Sequence, residues 1–159
     1  MSRNTSNDNE ELLSYQTQRL QDLINEILLC CEDRKLYEHK KFGLAHAELK
    51  CLRLFDRVRY LTVKDMAQKL EVAKSRVTKL VNGLINKGMV HQIDDPKDGR
   101  IKLISLTRAG GKKSEEIGIF LHGIHRDILL QMTADERKKL ISQLDMLRSA
   151  MESVKGNLV

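Results

Sequence analysis

The chain of 159 residues is poor in rings and almost without proline: no Trp, three Phe, three Tyr and one Pro. A core built with so few aromatics must rest on Leu, Ile, Val and Met. With Pro96 as the sole proline, and that in a charged stretch, little interrupts long helices. Three cysteines, Cys30 and Cys31 adjacent and Cys51 apart, make neither a disulfide framework nor a zinc-ligand spacing. No apolar run reaches the roughly 18 residues of a membrane span. The opening MSRNTSNDNEE is polar and lacks the hydrophobic region of an export signal. These absences point to a cytoplasmic chain with free thiols in a reducing compartment. Residues 1–9 are expected to form a flexible tail and residues 10–159 a single domain. No nucleophile–base motif, glycine-rich phosphate loop or HExxH occurs, which argues against an enzyme and against a bound cofactor or metal.

What is present is charge, unevenly spread. The net charge is +6. Residues 1–38 carry 4 basic and 8 acidic side chains, residues 39–61 carry 6 and 2, residues 62–106 carry 9 and 5, and residues 107–159 carry 9 and 7. The positive excess is concentrated in the middle, where a phosphate-facing surface would put it. Hydrophobic spacing gives the elements. Leu20, Leu23, Ile24, Ile27, Leu28 and Cys31 predict a helix over 10–38, broken at Phe42-Gly43. A second helix is predicted over 46–58. Thr62 with Asp65 reads as a variant capping box opening a short helix, with a turn at Glu71-Val72 and a further helix over 73–87 that ends at Gly88. Met89–Ile93 and Ile101–Leu106 read as a two-stranded hairpin. In the second run, Ile101, Leu103 and Ser105 alternate with Lys102 and Ile104. Thr107 opens a long helix to about Met132, and Thr133 with Glu136 is a capping box for the last one.

Together these predict a mainly α fold with a small β-hairpin wing: a winged helix-turn-helix over 46–106 flanked by long helices at 10–45 and 107–159. On a helical wheel of the 73–87 segment, Val77, Leu80, Val81 and Leu84 share the inner side. Ser75, Thr78, Lys79, Asn82 and Asn86 lie outside, with Arg76 at the edge; Lys74, at the start of the segment, is counted with them as DNA-binding. No acid occurs between Ala73 and Lys87, and a carboxylate there would repel phosphates. Hydroxyls, amides and cations on one face suit base edges and phosphates in the major groove of double-stranded DNA. The hairpin tip, Asp95-Pro96-Lys97-Asp98-Gly99-Arg100, offers Lys97 and Arg100 to the minor groove. Asp95 and Asp98 make sense there as braces, bonding either turn amides or a cation such as Arg100 or Arg76.

The segment LTVKDMAQKLEVAKSRVTKLVNGLINKGMVHQIDDPKDGRIKLISLTRAG resembles the core of the MarR family of winged-helix transcription regulators. The family's wing motif D-x-R-D-x-R is matched by Asp95-Pro96-Lys97-Asp98-Gly99-Arg100, and the L-T-x-x-G after it by Leu106-Thr107-Arg108-Ala109-Gly110. The sequence departs at Lys97 and Lys79, where the family commonly has Arg. Lysine keeps the charge and loses the planar fork. Gly83 in mid-helix is also unusual, at about 1 kcal/mol relative to Ala.

The resemblance implies a two-fold dimer through the terminal helices, with Leu20, Ile24, Leu140, Leu144, Leu147 and Met151 in the seam, reading a pseudo-palindromic operator as a repressor. Two recognition helices one DNA turn apart supply the contacts that one cannot. It also implies release by a small-molecule, oxidant or metal signal, whose identity is open. Cys30, Cys31 and Cys51 read foremost as buried inert thiols and secondarily as oxidant sensors. His122 and His125, three apart, could share a metal with His39, His46 or Cys30, although helical His pairs are more often incidental; His91 reads as surface. The competing reading is a winged-helix protein-interaction module without specific DNA binding.

Overall fold

The computed structural model describes residues 4–157, with side chains from Asp8 onward. The elements follow in the order α1 (Asn4–Phe42), α2 (His46–Arg53), β1 (Leu61–Thr62), α3 (Val63–Leu70), α4 (Lys74–Asn86), β2 (Val90–Asp94), β3 (Lys102–Leu106), α5 (Arg108–Leu130) and α6 (Ala134–Gly156). The predicted mainly helical fold with a hairpin wing is the observed one.

Helix boundaries follow local chemistry. α1 has neither Pro nor Gly along its length and stops where Gly43 takes a φ of 66°. It begins at Asn4, so residues expected in a tail are helical; residues 1–3 of that expected tail lie outside the described residues. α2 ends at Arg53 rather than near Val58. Beyond Arg53, bonds from Leu54 N to Cys51 O and from Phe55 N to Leu52 O tighten the chain, and Phe55 turns into the core. Thr62 caps α3: its hydroxyl accepts from Asp65 N, while the Asp65 carboxylate accepts from Thr62 N at 3.0 Å. The Thr62 hydroxyl and backbone bonds hold the Asp65 carboxyl below the ordinary carboxylate range. Thr133 and Glu136 repeat the arrangement at α6. Glu71 closes α3 in the left-handed region, with Val72 N bonded to Ala67 O. Gly88, with φ 68°, follows the last residues of α4 as expected.

The sheet has three strands, ordered β1-β3-β2 and antiparallel throughout, with Leu61 opposite Ile104 and Gln92 opposite the same residue from the other side. β1 was not anticipated, since two residues carry no period. Its presence corrects the reading of β3. As the central strand, β3 has Ile104 and Ser105 both buried, on opposite faces, instead of one wet and one dry row.

The single domain expected from the sequence divides into two compact units, Met1–Gly110 and Gly111–Val159. Burial gives the reason. Among the described residues, the covered apolar side chains are Leu44, Leu49, Leu52, Met66, Val77, Leu84, Ile104 and their neighbours in the first unit; only Ile117 lies beyond Gly110. In the second unit α6 buries no residue at all. Phe55 is the one aromatic in this core, as the composition required.

Candidate nucleic-acid interface

α4 is placed by its inner row. Val77, Val81 and Leu84 are buried and Leu80 is half-buried, which leaves the opposite face in solvent. Ser75, Thr78, Lys79, Asn82 and Asn86 are all exposed, as the wheel predicted, and so are Arg76 at its edge and Lys74 at the helix start. Ile85 is exposed as well. No side chain caps the start of α4, and its first turn holds no acid, so its leading amides add a positive end to the cationic face. Thr78 is partly committed: its hydroxyl donates to Lys74 O at 3.0 Å. What it presents outward is a methyl group and acceptor lone pairs rather than a donor.

The far end of α4 is braced in a way the sequence did not announce. Glu48 of α2 is buried, and its Oε2 accepts from Ala45 N at 2.8 Å, capping α2. The same carboxylate takes both bonds from Lys87 Nζ, at 2.9 and 2.7 Å. Gly83 faces it, and a Cβ there would lie 3.3 Å from Glu48 Oε1. The mid-helix glycine therefore makes room for the carboxylate that ties α4 to α2. Thr107 then fastens the exit. Its hydroxyl donates to Gly88 O at 2.6 Å and accepts from Gly110 N at 3.0 Å. The recognition helix, the turn after it and the first turn of α5 are held as one piece.

The wing tip is a braced turn. Asp95 Oδ1 accepts from Lys97 N at 2.7 Å and Asp98 Oδ1 from Arg100 N at 3.0 Å. Ile101 N bonds Asp98 O, and Asp95 N bonds Ile101 O. Of the two roles open to the aspartates, the structure selects bonding to turn amides. Their negative charge is thereby spread over the loop backbone, while Lys97 and Arg100 stay exposed. Asp98 thus enters the interface as scaffold. Below the tip, Lys102 pairs with its cross-strand partner Asp94.

The residues considered for signal sensing separate into distinct places. Cys51 is fully buried, and its thiol is pushed up to about 11 by burial and by the neighbouring Glu48 charge. Cys30 is exposed and Cys31 half-buried, which corrects the expectation that all three thiols are buried. The cause is that the face of α1 carrying Cys30 is uncovered in the single chain. His46 Nδ1 lies 3.3 Å from Oε2 of the buried Glu38, which also holds Arg34 Nε at 3.1 Å. His39 Nδ1 lies 3.0 Å from Leu44 O. Both rings thus serve the α1–α2 corner. Among the described residues no group of three or more His, Cys, Asp or Glu is placed to hold a metal ion. His91 is exposed on β2. Among the described residues no helix is long and apolar enough to cross a membrane.

Comparison with known proteins places this geometry. The MarR family model matches residues 42–101, the stretch from the end of α1 to the wing. The HTH-type transcriptional repressor MdtR of Bacillus subtilis (strain 168) is 30% identical over 108 residues, covering 68% of this chain and 67% of that protein. The uncharacterized HTH-type transcriptional regulator YdgJ of the same organism is 26% identical over 114 residues, covering 72% and 70%. The crystal structure of the YusO protein from Bacillus subtilis superposes with a TM-score of 0.69 at 27% identity, covering 89% of this chain and 97% of that one.

Proposed function

The chain belongs to the MarR family, and from that premise we propose that it is a dimeric, sequence-specific repressor that acts in the cytoplasm by occupying a pseudo-palindromic operator. The observation that carries the reading is the outer face of α4: six exposed polar or cationic residues, Lys74 to Asn82, with no acid on the helix. Base edges are read by Thr78 and Asn82, phosphates by Lys74, Ser75, Arg76 and Lys79. Lys97 and Arg100, on a wing tip stiffened by Asp95 and Asp98, enter the flanking minor groove. The seam is formed by Leu20, Ile24, Leu140, Leu144, Leu147 and Met151, every one of them exposed or half-exposed in the single chain. Two copies then set their α4 helices about 34 Å apart. A small-molecule, oxidant or metal signal releases the repressor.

Titration of operator and random duplexes across salt concentrations tests the assignment. Arg100→Ala should weaken binding to both and reduce the magnitude of the salt slope by about two, one for each protomer. Thr78→Ala and Asn82→Ala should lower the operator-to-random ratio about tenfold each while leaving non-specific affinity nearly intact. Equal losses on every sequence for all three variants would remove base reading from α4. Absence of salt-dependent binding to any duplex would favour a protein-interaction module instead.

A further inference from the structure

The end of the second unit where α5 passes into α6 carries a concave surface of unusual composition. His122, His125, Arg126, Leu129 and Leu130 of α5 and Arg137 of α6 enclose a cavity of about 360 Å³, room for several side chains. Spacings of three and four put His122, His125, Arg126 and Leu129 on one face of α5. Arg137 is held across from them by a bond from its Nε to Met132 O at 3.1 Å. The floor is leucine and the rim is two guanidiniums and two imidazoles. No carboxylate lines the cavity. Of the acids nearby, Glu136 is taken by the Thr133 cap, and Asp127 and Asp135 lie outside the lining. Such a surface fits a partner that is acidic and apolar at once.

The chain itself supplies one. Residues 8–13 of α1 read Asp-Asn-Glu-Glu-Leu-Leu, and every one is exposed. No Lys, Arg or His occurs from Asn4 to Gln18. We infer that the acidic first turns of α1 from a second copy dock in the α5–α6 cavity, the carboxylates of Asp8, Glu10 and Glu11 meeting Arg126 and Arg137, and Leu12 and Leu13 covering Leu129 and Leu130. The clasp rests on the dimer reading above and adds to it a charge-based contact separate from the apolar stripe of α6. It gives the run of acids at the start of α1, with no base from Asn4 to Gln18, a role in assembly.

Sedimentation of the full chain at low and high salt tests it, with helical circular dichroism as the check on folding. One variant reverses the cavity (Arg126→Glu with Arg137→Glu) and another reverses the arm (Glu10→Lys with Glu11→Lys). Each alone should dimerise about tenfold less tightly than the wild type at low salt. Mixed together, they should recover wild-type affinity as a heterodimer, because each arm then meets a cavity of opposite charge. Dimerisation unchanged in both variants would overturn the clasp while leaving the apolar seam intact; a wild type that is monomeric at micromolar concentration would overturn the dimer itself. Rescue within a single chain carrying all four substitutions, with none in the mixture, would show the arm folding onto its own subunit and refute the exchange. Stabilisation of the wild type by benzoate, lost in the cavity variant whose dimerisation is normal, would make the cavity a site for a free organic anion and likewise refute the proposal.

Discussion

Single residues here are set by what surrounds them rather than by their type. Cys51 and Cys30 are the same side chain with opposite prospects. Cys51 sits in the winged core beside Glu48, and loss of its proton is opposed first by burial and then by that charge. A thiol raised from 9.0 to about 11 gives stability that is whole below the ordinary value and is lost as pH rises through the folded one. Unfolding midpoints should therefore fall between about pH 9 and pH 11, and this component should vanish in Cys51→Ala. At neutral pH, iodoacetamide should leave Cys51 unmodified until the winged unit unfolds; mass spectrometry showing Cys51 modified in the folded protein would contradict its placement. Apolar neighbours in the sequence make all three thiols look buried, and only Cys51 is. The difference was not legible, because burial of Cys30 or Cys51 depends on tertiary partners that spacing does not encode.

Elements were legible where they are long or capped. α4, its inner row of Val77, Val81 and Leu84, and the caps at Thr62 and Thr133 all follow from period and cap chemistry. β1 was not legible, being held by its neighbour β3 rather than by any preference of its own. Nor was the Glu48–Lys87 tie, whose partners lie 39 residues apart. Gly110 lies between the two cases. It is the last residue of the L-T-x-x-G run, and its physical reason emerges only from the packing. A Cβ on Gly110 would come within 1.8 Å of Met89 O, a backbone atom fixed by its bond from Thr107 N. The start of α5 thus passes against the α4–β2 turn with no space for a side chain. Gly110→Ala should destabilise the protein by roughly 3 kcal/mol in urea unfolding. Gly111→Ala, with nothing within 4 Å, should be neutral or gain up to about 1 kcal/mol. Equal effects at the two positions would rule out the close approach.

At the scale of the molecule, the terminal helices carry more exposed apolar surface than a lone protein tolerates. Ile141 and Leu144 are about half exposed, Met151 and Val154 slightly more, and α6 covers none of its own residues. Contiguous apolar surface of this kind marks an association site. Replacing Leu144 and Leu147 by Glu would place unpaired charges in the proposed seam. The variant should sediment as a monomer or unfold, and operator affinity should collapse although each DNA-facing side chain is intact. A double variant that still dimerises and still binds would refute the seam. The residues proposed to read DNA lie on α4 and the wing tip, whereas the proposed seam lies on α1 and α6. That the two tasks fall on different elements has a genetic consequence. A chain with a ruined α4 and sound terminal helices can still pair with an intact chain and spoil it, so such alleles should be dominant over the wild type in a cell carrying both. Alleles that ruin α6 cannot find a partner to spoil, and they should be recessive.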